Sequence, residues 1–289
     1  MKTALIIPAH NEANHLRQML NSVCAQTRIP NEIIVVDDNS TDNTYEIANQ
    51  FSKQYSFIQV IKHHSTAVHE PGSKVVKAFY AGFNQLKKEY DLIGKFDADL
   101  ILPPDYFEKI TNLFINNPKI GMASGLLYIK KGDAWEFEAI SEKDKVRGPI
   151  KLYRKACFNQ IGGLKKAIGW DTADELLARY HGWEIATDKT VHVKHLKPTG
   201  ASYTKKSRFK QGEAFYRMRY GFLLTGIAAA KLAFRKKSSI FLFDTLKGYC
   251  RAKKEQKEFL VSEEEGKFIR DYRKKGILTK LFFKKQTDL

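Results

Sequence analysis

The first hundred residues alternate between short apolar runs and segments whose apolar residues recur at helical spacing. The β-branched run at residues 32–36 is typical of a strand buried on both faces of a parallel sheet. The predicted strands are residues 4–7, 32–36, 57–61 and 92–96, and the predicted helices are residues 11–25, 44–51 and 73–86. Repeated strand–helix units predict an α/β fold, in which helices cover both faces of a mostly parallel sheet.

The pattern after residue 105 is mixed. The elements predicted there are two strands over residues 120–129 that are separated at Gly125, single strands over residues 148–153 and 190–195, and a helix over residues 170–181. The composition becomes more basic near residue 200. We therefore expect a first domain over residues 1–200 and a basic, mostly helical region over residues 201–289.

Acidic side chains stand where two of the predicted strands end. Asp37 and Asp38 close the second run, and Asp97 and Asp99 follow the fourth. Ligands of parallel sheets bind at the carboxyl ends of the strands, so one pocket can hold all four residues. Asp97 and Asp99 share a face if the extended backbone continues, and such carboxylates suit Mg²⁺ or Mn²⁺. The alternatives are a polar turn for Asp97 and Asp99, and a helix cap for Asp37 and Asp38.

Four further polar residues are candidates with an ordinary alternative. Asn11 can cap the first helix, and Glu12 suits the first turn of that helix. Lys74 follows Gly72 near a helix start and can meet a phosphate there, or it is a solvated lysine. His195 shares a strand face with Val191 and Val193, where it is a metal ligand or a structural residue.

Taken together, three motifs resemble the family 2 nucleotide-sugar glycosyltransferases over residues 3–195. They are Pro8-x-x-Asn11-Glu12, Val35-Val36-Asp37-Asp38-x-Ser40-x-Asp42 and Asp97-x-Asp99, and the Gly162-Gly163 turn and the acidic helix start at Asp171 add to the match. The resemblance implies a GT-A fold, a UDP-linked or related nucleotide-sugar donor, and an inverting transfer assisted by Mn²⁺ or Mg²⁺.

The resemblance also assigns roles to residues of this chain. Pro8 and Glu12 are expected to line the base and ribose pocket, Asp37 is expected to accept a hydrogen bond from the base, and Asp99 is the firmer metal ligand. The donor-binding residues expected are Pro8, Asn11, Glu12, Asp37, Asp38, Lys74, Asp97 and Ala98, and the metal ligands expected are Asp97, Asp99 and His195.

Inverting transfer also needs a general base for the acceptor hydroxyl. The family places an acid from a Glu-Asp pair at a helix start after a Gly-Gly turn. This chain has no such pair and carries Asp171, Asp174 and Glu175 instead. Asp171 is the first candidate for the base and Asp174 is the second, although Asp171 can also serve as a helix cap.

The charge of the chain is concentrated at its end. The 289 residues carry a formal net charge of +17, and residues 201–289 hold 23 Lys and Arg against 9 Asp and Glu. Such a tail implies an anionic partner. The three cysteines show no metal or disulfide spacing, and no signal peptide is recognised at the start, so a reducing, cytoplasmic setting is expected.

Short apolar stretches interrupt this basic tail. Residues 220–230 carry no charge, but the run is shorter than the roughly 20 residues that a spanning helix needs. Lys and Arg beside short apolar stripes favour helices that lie on an anionic membrane surface. The alternative is a helical appendage that packs on the body or on a second subunit. A nucleic-acid partner is not expected, because no known binding motif is present.

The function expected from the sequence is a cytoplasmic glycosyltransferase, peripheral to the inner face of the cell membrane. It would act on a glycan or lipid-linked acceptor, as in the synthesis of cell-envelope polysaccharide. One alternative is a sugar-nucleotide nucleotidyltransferase, although the Gly-rich, Arg-containing loop of that class is missing after the first strand. The other alternative is a nucleotide-sugar-binding protein without turnover.

Overall fold

The computed structural model describes residues 1–65, 72–139, 143–198 and 209–284. The chain forms two compact units, Met1–Lys166 with His181–Ala201, and Ala167–Tyr180 with Ser202–Leu289. The helix that the sequence predicts over residues 170–181 therefore belongs to the second unit. The domain boundary expected near residue 200 stays a prediction.

The first unit is built on one sheet. Its strands are β1 (Thr3–Ala9), β2 (Glu32–Asp38), β3 (Ile58–His63), β4 (Leu92–Phe96), β5 (Leu100–Ile101), β6 (Ile120–Lys131), β7 (Ala134–Phe137), β8 (Ile150–Arg154) and β9 (Glu184–His195). Their order is β3-β2-β1-β4-β8-β6-β9-β5, and β7 pairs with β6. The first four strands in this order are parallel, and antiparallel pairs begin where β8 joins β4.

Helices of the first unit pack on this sheet and bury its β-branched strands. They are α1 (Leu16–Cys24), α2 (Thr44–Gln54), α3 (Ser73–Phe83), α4 (Tyr106–Asn116) and α5 (Lys155–Gln160). Every residue of β2 is buried, as expected of a strand covered on both faces. Gly82 lets α3 approach the sheet closely, because a Cβ there would lie 2.7 Å from Val36 and 2.8 Å from Ile6.

Two local predictions differ from the structure. The first helix begins at Leu16, not at Asn11, which has a left-handed φ of 54°. The predicted break at Gly125 is wrong, because β6 runs unbroken from Ile120 to Lys131. A Cβ on Gly125 would lie 2.6 Å from the carbonyl oxygen of Val191, so this glycine permits a close approach of β9, with a register irregularity between Ser124 and Leu126.

The second unit is helical in the part of the chain that is described. Its helices are α6 (Trp170–Tyr180), α7 (Lys210–Arg217), α8 (Phe222–Arg235), α9 (Ser239–Lys254) and α10 (Glu263–Lys284). Gly212 of α7 and Gly248 of α9 leave no room for a Cβ, because their backbones lie against Thr245 and Phe209. Among the described helices, none combines the length and the apolar character that crossing a bilayer requires.

Candidate active site

The loops after β1 and β2 are tied together at the carboxyl edge of the sheet. The backbone N–H of Asn11 donates to Ser40 Oγ (3.0 Å), and that of Thr41 donates to Asn11 Oδ1 (2.8 Å). The backbone N–H of Ala13 donates to Asp42 Oδ2 (3.1 Å). Asn11, Ser40 and Asp42 thus hold the shape of this edge, and the left-handed backbone of Asn11 replaces the helix cap that the sequence predicts.

Asp97, Asp99 and His195 form a cluster beyond the end of β4. Each offers one ligand atom, and these atoms lie within 4.8 Å of one another. The strand does not continue through both aspartates as the alternation argument assumed, because β4 ends at Phe96 and a turn at Ala98 and Asp99 leads into β5. His195 reaches this turn because β9 pairs with β5. The backbone N–H of Leu196 also donates to the carbonyl oxygen of Asp99 (2.9 Å).

Burial makes the negative charge of Asp99 unfavourable. Burial and the neighbouring Asp97 carboxylate raise the pKa of Asp99 to about 7, against the opposing effect of His195. Burial alone disfavours a charged His195, yet the hydrogen bond to Glu138 and the carboxylates of Asp99 and Asp97 raise the pKa of this histidine. A divalent cation between these groups would stabilise both carboxylates in their charged form.

Glu138 orients the imidazole of His195. Its Oε2 lies 3.1 Å from His195 Nδ1, whereas His195 Nε2 faces Asp99 Oδ2 at 3.6 Å. Arg147 Nη1 in turn lies 3.2 Å from Glu138 Oε2 and donates to the Glu138 carbonyl oxygen at 3.3 Å. Glu138 is 1% exposed. A carboxylate that binds one ring nitrogen and leaves the other toward a ligand site is the usual arrangement around metal-binding histidines.

The donor set of this cluster fits a divalent cation. Two carboxylate oxygens and one imidazole nitrogen converge, and the separation of 3.6 Å between the Asp99 and His195 atoms lies within the span of two ligands bound at about 2.1 Å. Among the described residues, Asp97, Asp99 and His195 therefore form a group that could hold a metal ion.

Lys95 is a buried cation next to this cluster. It lies on β4, is 3% exposed, and its ammonium group donates to Asp97 Oδ1 and to the carbonyl oxygen of Gly148 (3.4 Å). The ion pair holds one oxygen of Asp97, while 31% of that side chain is exposed. Lys95 thus limits the charge that Asp97 brings to the edge of the sheet.

Asp37 and Asp38 end β2 at the same edge. Asp38 Oδ1 accepts a hydrogen bond from the N–H of Ser65 (3.2 Å), and its carbonyl oxygen lies 2.7 Å from His10 Nδ1. Asp37 Oδ1 is buried and accepts no hydrogen bond from the residues that the structure describes. A buried acceptor without a donor is uncommon in folded proteins, and this oxygen is unsatisfied among the described residues.

Three further donor-site candidates lie on β1, on the loop after β1 and on α3. Pro8 lies half-buried on β1, opposite Val36 of β2. Glu12 Oε2 accepts a hydrogen bond from Lys197 Nζ (2.6 Å), which links the loop after β1 to the chain after β9. Lys74 lies half-buried in the first turn of α3, and its contact with phosphate stays a prediction.

Asp171 and Asp174 lie on α6, in the second unit. α6 begins at Trp170, so Asp171 is in the first turn and not at the cap. Asp171 is half-buried, whereas Asp174 is fully buried and its Oδ1 accepts a hydrogen bond from the N–H of Glu175 (2.6 Å). The assignment of either acid as the general base stays a prediction.

Three contributors to the site were absent from the sequence-based candidates. They are Lys95, Glu138 and Lys197. Lys95 carried a usable signal, because a lysine inside an apolar strand is seldom buried without a partner. Glu138 and Lys197 carried none, because each meets its partner through contacts between segments far apart in the chain.

Comparison with known proteins identifies the family. The sequence profile of glycosyl transferase family 2 matches residues 4–164, more than half of the chain. The chain belongs to glycosyl transferase family 2. This membership confirms the resemblance that the sequence motifs carry.

Relatives with curated descriptions match up to half of the chain. An uncharacterized glycosyltransferase of Nostoc sp. is 32% identical over 146 residues, which are 50% of this chain and 43% of that protein. The dolichol-phosphate mannosyltransferase of Pyrococcus furiosus is 33% identical over 140 residues, or 47% of this chain and 37% of that protein. The chain thus matches less than half the length of these family 2 relatives.

Solved structures share the fold at low sequence identity. Residues 1–349 of S. aureus TarS in complex with UDP-GlcNAc align with a TM-score of 0.57 and 20% identity, over 78% of this chain and 66% of that chain. The mannosyltransferase PcManGT of Pyrobaculum calidifontis, in complex with GDP-Man and Mn²⁺, aligns with a TM-score of 0.53 and 12% identity, over 96% and 80%. These likenesses confirm the expected GT-A type of α/β fold.

Proposed function

We propose that this family 2 protein transfers a sugar from a nucleoside-diphosphate sugar, with UDP as the first nucleotide to test, to an acceptor hydroxyl with inversion. The observation that carries the proposal is the convergence of Asp97, Asp99 and His195 at the sheet edge where β2 also presents Asp37. That edge is where parallel sheets bind ligands. Relatives described as sugar transferases support the same reading.

The donor would be held by groups of the first unit. Asp37 Oδ1, which lacks a donor among the described residues, would accept a hydrogen bond from the nucleotide base. Pro8, Asn11 and Glu12 would line the base and ribose pocket, and Asp38 would support Asp37. Lys74 and the backbone at Ala98 would lie next to the diphosphate and ribose.

The metal-binding residues would be Asp97, Asp99 and His195. A bound Mn²⁺ or Mg²⁺ supplies a positive charge for the diphosphate that leaves. The imidazole in the donor set favours Mn²⁺, because Mg²⁺ prefers a shell of oxygen atoms only. Two structural neighbours, PcManGT and GalNAc-T7, are described with Mn²⁺. Asp99 would carry the charge closest to the ion, and Lys95 would hold Asp97 in place.

Asp171 would accept the proton of the acceptor hydroxyl as the hydroxyl oxygen attacks the sugar. Its half-buried position in the first turn of α6 leaves it more accessible than Asp174, which is fully buried. Asp174 remains the second candidate. A base that touches the acceptor needs such access, because proton transfer requires hydrogen-bond contact.

The acceptor would be a glycan or a lipid-linked compound at the inner face of the cell membrane, in the synthesis of cell-envelope polysaccharide. A relative from Serratia proteamaculans, 32% identical over 117 residues, is described as an undecaprenyl-phosphate 4-deoxy-4-formamido-L-arabinose transferase, and it supports a lipid-linked acceptor. The basic residues 201–289 would provide the contact with an anionic membrane surface.

Release of nucleoside diphosphate from a panel of sugar nucleotides, with Mn²⁺ or with EDTA, tests the proposal. We expect release from one donor class with Mn²⁺ and little with EDTA. A thermal-shift screen of the same donors reports binding separately, because a bound donor stabilises the fold by mass action. Stabilisation without release would indicate a binding protein without turnover, and neither effect with any donor would refute the proposal.

A further inference from the structure

The pair of helices formed by residues 222–254, which we call the α8–α9 hairpin, exposes large apolar side chains. Leu223 is 73% exposed, Phe234 87% and Phe243 68%. Phe222, Ile227 and Ile240 are exposed as well. Contiguous apolar surface of this kind marks an interaction site in soluble domains, whereas scattered single residues do not.

The spacing of these side chains gives each helix an exposed apolar face. Leu223, Ile227 and Phe234 are separated by four and seven residues along α8, which places them on one side of that helix. Ile240 and Phe243 are separated by three residues on α9. The opposite faces are buried, as at Leu224 of α8. Among the described residues, each of the two helices therefore has a buried face and an exposed apolar face.

The charge of the hairpin has one sign. Residues 222–254 carry eight Lys and Arg and a single acid, Asp244, which is buried. Exposed Arg235, Lys236 and Lys237 stand at the turn between the helices, directly after Phe234. The apolar surface is therefore bordered by positive charge alone, which is complementary to an anionic partner and repels a second copy of itself.

A groove of about 570 Å³ lies at this turn. Its lining includes Ala233, Phe234 and Leu242, together with Lys237. Apolar walls beside one ammonium group match the chemistry of an acyl chain that is attached to a phosphate. The groove thus combines both features of the hairpin in one place.

Elsewhere in the described chain, exposed large apolar residues are fewer or share their helix with several acids. Helix α10 exposes Tyr272 and Leu278 beside Arg273, Lys274 and Lys275, but it begins with Glu263, Glu264 and Glu265 and carries Asp271 as well. In the first unit the exposed large apolar residues, Ile29 and Ile115, stand far apart in the sequence. The basic charge of residues 201–289 is therefore joined to an exposed apolar face in the hairpin.

We propose that the α8–α9 hairpin is the element that binds an anionic lipid bilayer and lies in its interface. Leu223, Phe234 and Phe243 enter the boundary of the acyl chains, and Arg235 and Lys236 meet lipid phosphates. This inference rests on the membrane partner proposed above and narrows it from residues 201–289 to residues 222–254. The occupant is a phospholipid surface, and α10 does not take part.

Co-sedimentation of the full chain with vesicles of phosphatidylglycerol and phosphatidylcholine tests the apolar contribution. We expect the triple variant Leu223→Ser, Phe234→Ser, Phe243→Ser to lower the vesicle partition coefficient roughly 100-fold, since each buried side chain of this size contributes strongly to transfer. The matched control is Ile29→Ser with Ile115→Ser, which should bind vesicles as the wild type does. Equal losses in both variants would overturn the proposal.

The charge contribution is tested with the pair Arg235→Gln and Lys236→Gln. We expect about tenfold weaker binding to anionic vesicles at low salt, and wild-type binding to vesicles of phosphatidylcholine alone. The control is Lys274→Gln with Lys275→Gln on α10, which removes the same charge and should leave binding unchanged. If the α10 pair weakens binding as much as the hairpin pair does, the hairpin is not the docking element.

Three outcomes separate this inference from a dimer interface and from the proposed transferase activity. Sedimentation velocity without lipid detects a second copy as the occupant: a dimer that the triple serine variant dissociates would overturn the proposal. Donor-induced thermal stabilisation is measured without vesicles, so its loss would count against the proposed transferase and not against the hairpin. Vesicle binding that is absent in the wild type, while the donor still stabilises the protein, would refute the hairpin alone.

Discussion

Asp99, His195 and Glu138 lie in the first unit with almost no exposed surface, whereas Leu223, Phe234 and Phe243 of the second unit stand largely in solvent. In the buried cluster each group has a specific partner within hydrogen-bond or ligand distance. On the exposed faces of the hairpin, several large apolar residues repeat the same chemistry. Function in the first region therefore depends on the position of single atoms, and in the second on the sum of many weak contributions.

The largest loss of activity is expected when one charged side chain of the cluster is replaced. We expect Asp99→Asn to lower the metal-dependent release of nucleoside diphosphate about 100- to 1,000-fold, because the amide keeps the shape but loses the charge. Steady-state rates at saturating donor and Mn²⁺ measure this. The control is Asp105→Asn, an acid whose side chain is 38% exposed and pairs with Lys109 on the surface. Wild-type rates in Asp99→Asn would contradict the role of the cluster.

A change behind the cluster should have a smaller but specific effect. We expect Glu138→Gln to weaken Mn²⁺ binding about 10- to 100-fold, because the amide no longer fixes His195 as a charged acceptor does. Electron paramagnetic resonance titration of free Mn²⁺ gives the affinity without any turnover. The matched control is Glu136→Gln, two residues away, whose side chain is 53% exposed and pairs with Lys131. Unchanged Mn²⁺ affinity in Glu138→Gln would show that His195 needs no such support.

The same difference explains how much of the site could be predicted from the sequence. Asp37, Asp97 and Asp99 could be found because each follows an apolar run, and strand order in a parallel sheet brings such ends together. Glu138 could not, since its partner is 57 residues away and their meeting depends on the register of β6 with β7 and β9. The local sequence pattern predicts the acids at the strand ends. The residue that supports His195 depends on tertiary pairing, which the local pattern does not predict.

At Gly125, too, the sequence alone does not predict the local structure. Glycine inside an apolar run indicates either a turn or a close backbone approach, and the sequence does not distinguish them. In the structure β6 pairs with β9, and Val191 lies so close to Gly125 that only a glycine fits there. Likewise, the start of α1 shifts from Asn11 to Leu16 because the loop after β2 occupies the backbone of Asn11 and Ala13. Both differences arise from partners distant in sequence.

Gly125→Ala tests the close approach of β6 and β9, the strand pair that positions His195. The new methyl group would meet the carbonyl oxygen of Val191 at 2.6 Å, so we expect a loss of about 1–3 kcal/mol in the free energy of unfolding. Urea denaturation measures it. The control is Gly226→Ala in α8, where a Cβ meets nothing within 4 Å and a small gain is expected. Equal stability of the two variants would argue against the tight β6–β9 approach.

The smallest effect on stability is expected on the hairpin surface. Leu223 and Leu224 are neighbours on α8, yet Leu223 is 73% exposed and Leu224 is 5% exposed. Leu224→Ala should lower the free energy of unfolding by about 2–5 kcal/mol, as buried leucines do. Leu223→Ala should change it by less than about 0.5 kcal/mol. Because the exposed leucine then contributes to vesicle binding and not to folding, Leu223→Ala should weaken co-sedimentation at unchanged stability. A marked loss of stability in Leu223→Ala would instead mean that this face is covered within the folded protein.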